Sequence, residues 1–452
     1  MADSGAMKKL AAVLMLLLAL VPQAALAQSI LRDAETEALL ADMSKPLIVA
    51  AGLNPKDVQV VLVGDSSINA FVAGGQIVFV NSGTLQAADS ANEVQGVIAH
   101  ELGHVVGGHV PLADRGYKPA LGIQILSLLI GIAAAAAGSG EGAAGAIAAG
   151  QQAALGKYLA FSRDQEASAD AAGARFLNGA GITGKGYLSF FTKLTALEYR
   201  YGISRKDSFL LDHPVSSDRI ANLTDTLKTN PAWGKPLDGN LEERFRRVKA
   251  KLAGYADDAE VTLRKYPPTD QSLYAHYARA YAYHKSGYPE KADEETQALI
   301  TAAPHDPYFL EIRGQILLES GQPLAALAPL REASQATNAP LILTTFGHAL
   351  IATENQANFA EAEKVLRLAV ARDQDNPFAW YQLGVVYERK GDTARALLAT
   401  AERATLTGDL RTAATAARGA LAGLPPNSTD WIRAQDIALT TQNQLQDAKG
   451  QR

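Results

Sequence analysis

His100-Glu101-Leu102-Gly103-His104 carries two imidazoles four residues apart. On an α-helix both project from one face and can reach a single metal ion. Glu101 follows the first histidine directly and can lie beside that ion, where a carboxylate takes a proton from water. Histidine is scarce, with 8 in 452 residues, so the spacing is informative. Ser90 to Ala99, polar at the start and apolar towards the histidines, suits a helix entering a core.

Two histidines do not make a site, and His109, Glu166 and His213 are the candidates for a third ligand. A metzincin arrangement needs a histidine at 110, which is valine, and a late methionine, whereas all four methionines precede residue 44. The remaining arrangement takes a glutamate from a second helix. Arg163 to Asp170 supplies Glu166, with Asp170 four residues on and on the same helical face. Asp170 can accept a hydrogen bond from a ligand imidazole or pair with an arginine.

These residues need elements to position them. A helical segment is expected from Ile30 to Ala51, then strands at Val58–Val63, Ile68–Val72 and Gln76–Val80, the last two forming a hairpin around Gly74-Gly75. Asn69–Ala73 is the candidate edge for an extended substrate backbone, because a strand beside a metal helix can take up an added strand. Pro119 to Gly140 is free of charge and long enough to cross a bilayer. A single crossing would put the histidines and Glu166 on opposite sides, so membrane-surface, substrate-contacting or buried placement of 119–154 fits better.

The size of the chain predicts two or three domains. A net charge of −5 with pI near 6.0 gives no footprint for nucleic acid. Lys8-Lys9, the apolar run Leu10–Val21 and Ala25-Leu26-Ala27 read as a secretory signal peptide over residues 1–27. The absence of cysteine rules out disulfides and thiol chemistry, and a bacterial periplasm tolerates that.

Beyond about residue 256 the composition turns helical and alanine-rich, with a repeat. Gly314, Gly347 and Gly384 each lie seven residues after Pro307, Pro340 and Pro377, and Gly287, Gly321 and Gly391 precede second helices. Trp380-Tyr381-Gln382-Leu383-Gly384-Val385-Val386-Tyr387 carries the W-x-x-L-G-x-x-Y signature of a tetratricopeptide repeat. Spacings of 33 residues from Gly314 to Gly347 and 37 to Gly384 imply a three-residue insertion near Asn355–Asn358. Three or four repeats are expected from Ser272 to Leu406, with a further helical pair up to Ala448. The chain is therefore read as mainly α: a zincin-type α+β metallopeptidase domain over 28–255, then an α-solenoid over 256–452 that presents a concave surface for peptides or proteins.

The H-E-x-x-H segment with His109, Glu166-x-x-Ala169-Asp170, and His213-Pro214 followed by Arg219 resemble the HtpX and CAAX-prenyl-protease type of gluzincin metallopeptidase. With the signal peptide and the repeats, the resemblance implies a periplasmic zinc endopeptidase acting on misfolded or stalled outer-membrane β-barrel proteins. The repeats would engage substrate or the barrel-assembly machinery. It implies His100, His104 and Glu166 as ligands of one Zn2+ and Glu101 as general base. His213 is either a donor to the oxyanion or a fourth ligand holding the enzyme latent. Arg219 is expected to pair with Asp170, and His109 to cap or pack locally. A second function class, a chaperone or assembly adaptor with a largely latent metal site, stays open beside the protease.

Overall fold

The computed structural model describes residues 30–109, 140–201, 213 and 217–450. The signal-peptide expectation and the whole of the apolar segment 119–139 lie outside these residues. Among the described residues no helix is long and apolar enough to cross a membrane.

Helix α1 (Ala34–Ala50) starts at Asp33, whose side chain accepts from the Thr36 N–H and satisfies one of the amides a helix start leaves open. The expected helical stretch from Ile30 is therefore shorter. Ile30 pairs instead with Val63, and the Leu31 N–H donates to Leu62 O at 2.9 Å. Strands β1 (Gln59–Val63), β2 (Ala70–Ala73) and β3 (Ile77–Asn81) form a sheet in the order β1-β3-β2. The β2–β3 pair is antiparallel and β1–β3 parallel. Gly74 and Gly75 close the hairpin with φ of 61° and 92°, a region open to glycine without steric cost. β2 thus lies at one edge of the sheet. At its start the Asn69 N–H and C=O are both tied to Thr84 Oγ1, at 2.9 and 2.7 Å.

A short helix α2 (Ser82–Ala87) leads to α3 (Ala91–Gly107), which holds the H-E-x-x-H segment. Ser90 caps it by accepting from the Glu93 N–H, which satisfies one orphan donor of the first turn, and the Glu93 side chain reaches back to the Asp89 N–H just before the cap at 2.8 Å. Every residue from Ala91 to His104 is buried. Up to His104 the helix is buried all round, against α1, the sheet, α4 (Gly140–Gly179) and α5 (Lys185–Tyr201). Glycines permit the closest approaches. A Cβ at Gly103 would lie 2.7 Å from Ala169 O on α4, and one at Gly96 would lie 2.5 Å from Tyr187 Cα on α5. Helices α6 (Ser217–Thr229) and α7 (Gly239–Ala256) complete this core, with Leu223, Phe245 and Val248 joining Leu39, Met43, Ile98, Leu102 and Phe190.

After a short α8 (Ala259–Lys265), five antiparallel pairs follow: α9/α10 (Leu273–Lys285, Pro289–Ala302), α11/α12 (Pro307–Glu319, Pro323–Thr337), α13/α14 (Pro340–Ala352, Gln356–Arg372), α15/α16 (Pro377–Arg389, Thr393–Leu406) and α17/α18 (Leu410–Gly423, Thr429–Gly450). Pro307, Pro340 and Pro377 each begin a helix, where the missing N–H is no loss. Gly287, Gly321 and Gly391 take φ of 75–77° between the helices of a pair; in the third pair Glu354 holds the same place at φ 53°. The insertion adds about one turn to the start of α14, since Ala362 sits deeper in its helix than Ala326 or Ala396 does.

Candidate metal centre

The two histidines of α3 face a carboxylate delivered by α4. Close packing of α3 on α4 at Gly103 and Ala169, and of Gly173 against Ala99, fixes the register that brings Glu166 to the histidines. His213 reaches the same point from the segment before α6. His100, His104, Glu166 and His213 are all buried, and each offers one donor atom to a group spanning no more than 4.8 Å. His100 Nε2 lies 3.1 Å from His104 Nε2, 3.4 Å from Glu166 Oε2 and 3.3 Å from His213 Nδ1. Glu166 Oε1 lies 3.4 Å from His104 Nε2 and 3.0 Å from His213 Nδ1. Donors about 2.0–2.1 Å from a tetrahedral ion are separated by about 3.3 Å. The donor set and its spacing therefore fit a metal ion.

The charges around the cluster are tightly coupled. Burial disfavours charge on His100, but hydrogen bonds to Asp170 and Glu166 prevail and hold its pKa up to about 10. Burial, then the neighbouring His100 and His213, push His104 down to about 2. Against the cost of burial, hydrogen bonds from His100 and His213 hold Glu166 far below the usual carboxylate range. The pocket thus keeps a buried carboxylate ionised among imidazoles, and a cation bound there would displace the proton that His100 holds.

Around this set the sequence-expected supports come together. His100 Nδ1 lies 3.1 Å from Asp170 Oδ1. Arg219 donates to Asp170 through Nε and Nη2, both at 2.8 Å, and its Nη1 lies 2.9 Å from Glu166 Oε2. Burial raises the Asp170 carboxyl, but its hydrogen bonds with His100 and Arg219 bring it down to about 2. Glu101 is buried with its Oε1 3.6 Å from His213 Nε2.

Two partners were not read from the sequence. Tyr187, fully buried on α5, donates to Asp170 Oδ1 at 2.8 Å and lies 2.9 Å from His100 Nδ1. Its sequence setting, Lys185-Gly186-Tyr187-Leu188-Ser189-Phe190-Phe191, reads as an apolar helix face and carries no signal for this role. His109 was expected to cap or pack locally. Its contact is local, and the partner is His104, with the two Nδ1 atoms 2.9 Å apart.

An H-E-x-x-H helix joined by a carboxylate from a second helix, beside a small mixed sheet, defines a metallopeptidase of the zincin type. The comparisons agree: residues 31–227, which take in every residue of this site, match Peptidase family M48, and the protein is a metalloprotease. The chain is 26% identical to the beta-barrel assembly-enhancing protease of Yersinia pestis, over 77% of this chain and 71% of that relative. It is 35% identical to Metalloprotease LoiP of Escherichia coli K12, over 36% of this chain and 60% of that one. The solved tetratricopeptide-repeat protein YrrB, described as having an unusual peptide-binding site, is 21% identical, covers 38% of this chain and 91% of its own, and aligns with a TM-score of 0.32.

Proposed function

We propose that the protein is a periplasmic zinc endopeptidase that degrades misfolded or stalled outer-membrane β-barrel proteins, with its repeats holding substrate or the barrel-assembly machinery. The observation that carries the chemistry is the set of four buried donor atoms at ligand spacing with Glu101 adjoining. The substrate class is supported by the barrel-assembly-enhancing relative, which the chain matches across most of its length. Residues 1–27 would be the signal peptide, 28–255 the peptidase domain and 256–452 the repeat domain.

In this reading His100, His104 and Glu166 hold Zn2+, the divalent ion best suited to two imidazoles and a carboxylate with one position open. A zinc ion held by these residues would supply Lewis-acid chemistry to the scissile carbonyl and to water. Glu101 takes the proton from water and passes it to the leaving amine. Asp170 and Arg219 support the site: Asp170 accepts from His100 Nδ1, which leaves the Nε2 lone pair for the ion, and Arg219 balances both carboxylates. The outer edge of β2 would take the substrate backbone as an added strand. Segment 119–154 would supply any membrane or substrate contact.

His213 has two roles open to it, oxyanion donor or fourth ligand. Its Nδ1 stands 3.3 Å from His100 Nε2 and 3.0 Å from Glu166 Oε1, a placement that favours a resting enzyme with the fourth position filled. Glu101→Gln keeps the shape and metal affinity but removes the base, so cleavage of an unfolded outer-membrane protein should fall at least about 100-fold. Undiminished clearance by that variant would favour the chaperone or adaptor class instead. His213→Ala distinguishes the two histidine roles: activity rises if His213 blocks the site and falls if it stabilises the transition state.

A further inference from the structure

We infer that His109 is a positioning residue for the metal centre, accepting the Nδ1 proton of His104 and so keeping the His104 Nε2 lone pair turned towards the ion. The inference rests on reading the four-residue cluster as a metal site. His104 Nε2 faces that cluster, 3.1 Å from His100 Nε2 and 3.4 Å from Glu166 Oε1. A ligand nitrogen carries no proton, so the proton of neutral His104 sits on Nδ1 and needs an acceptor. The nitrogen that receives it is His109 Nδ1, 2.9 Å away. His109 is then the Nε2–H tautomer and electrically neutral.

The local backbone is shaped for this contact. Helix α3 ends at Gly108, whose φ of 62° turns the chain back on the last helical turn. A Cβ on Gly107 would overlap the His109 imidazole. Gly107-Gly108 therefore leaves both the turn and the space that lay the ring on His104. From α4, Gln165 reaches the His109 carbonyl at 3.5 Å. The two α3 histidines are thus oriented differently: His100 by Asp170 and Tyr187, His104 by a neutral imidazole one turn further on.

The test uses the full chain and measures zinc affinity by competition with a chromogenic chelator, together with the visible spectrum of the Co2+-loaded protein. His109→Phe keeps an aromatic ring and removes the acceptor. Its zinc affinity should fall by about 10–100-fold, the usual effect of losing a partner of a ligand histidine. The Co2+ bands should shift, while the melting temperature of the metal-free protein stays at the wild-type value. Gly107→Ala, which displaces the ring without changing it, should weaken zinc in the same way, and His109→Gln, with an amide oxygen as acceptor, should restore part of the loss. Wild-type affinity and an unchanged Co2+ spectrum in His109→Phe would overturn the inference. If His109→Phe also melts lower without metal, Gly107→Ala decides, and wild-type affinity there overturns it equally. Failure of the wild type itself to bind one equivalent of zinc would instead remove the metal centre.

Discussion

Asp170 joins three groups that otherwise have no reason to meet: the His100 imidazole, the Tyr187 hydroxyl and the Arg219 guanidinium. Its charge balances Arg219 in a place with little water, where an uncompensated ion is costly. Asp170→Asn should therefore do two separable things. Leaving Arg219 half-paired should destabilise the fold by about 3–5 kcal/mol, read as a lower melting temperature of the metal-free protein. Replacing a carboxylate by a weaker acceptor at His100 Nδ1 should also cut zinc affinity by about 10–100-fold. Tyr187→Phe removes only a hydroxyl from the same junction, so it should lower affinity by less and leave Arg219 paired. The meeting of His100 and His104 was legible because helix geometry alone puts i and i+4 together, and Glu101 because it follows the first of them directly. Glu166, Asp170 and Arg219 were legible only in combination with them. Tyr187 was not, because what brings it to Asp170 is the packing of α5 on α3, and a tyrosine between apolar neighbours looks the same whether or not it meets a carboxylate.

At the scale of elements, the site is an agreement between helices that pack with no Cβ between them. Gly103 sits inside the H-E-x-x-H segment yet supplies no chemistry; its lack of a side chain lets α4 approach until Glu166 meets the histidines. Gly103→Ala would place a Cβ 2.7 Å from Ala169 O. Overpacking of this kind typically costs about 1–3 kcal/mol and moves backbone. The expected result is a folded, helical protein by circular dichroism that has lost stoichiometric zinc and peptidase activity, although every ligand is still present. Normal zinc binding in that variant would mean that α3 and α4 can separate without moving Glu166. The hairpin at Gly74-Gly75 and the proline-started helices were readable because turn and cap residues act within a few positions. The strand-like pairing of Ile30-Leu31 with β1 was not, since two residues carry no periodicity. Nor was Glu354 in the left-handed region, where three of the other four pairs place glycine.

The whole molecule is joined by charges far apart in sequence. Glu35 at the start of α1 accepts from Tyr277 of α9 at 2.7 Å and pairs with Arg247 of α7 at 2.9 Å; Arg247 in turn holds Asp306, at the head of α11. Lys251 pairs with Asp33. Within this junction Glu311 of α11 has a buried Oε2 with no hydrogen-bond partner among the described residues. Burial, opposed by Lys251 and reinforced by Asp33 and Glu35, pushes its pKa up to about 8 from an ordinary 4.5. No sequence pattern announces this, because each residue alone reads as a solvated charge on a helix. The consequence for stability has a definite sign. Below about pH 4.5 Glu311 is protonated both folded and unfolded, and its raised pKa costs nothing. Between about 4.5 and 8 the unfolded chain gives up the proton while the folded one keeps it, so stability falls as pH rises by up to about 1.4 kcal/mol per unit. Above about pH 8 both states are ionised and the difference levels off. Glu311→Gln removes the titration but keeps the shape. The melting temperature of the wild type relative to this variant should therefore decline steadily from pH 5 to pH 8 and stay constant from pH 8 to pH 9.5. A difference that does not change with pH would mean that Glu311 is ionised in the folded protein. The junction between the first helix pairs and the peptidase core would then hold a compensated carboxylate rather than a protonated one.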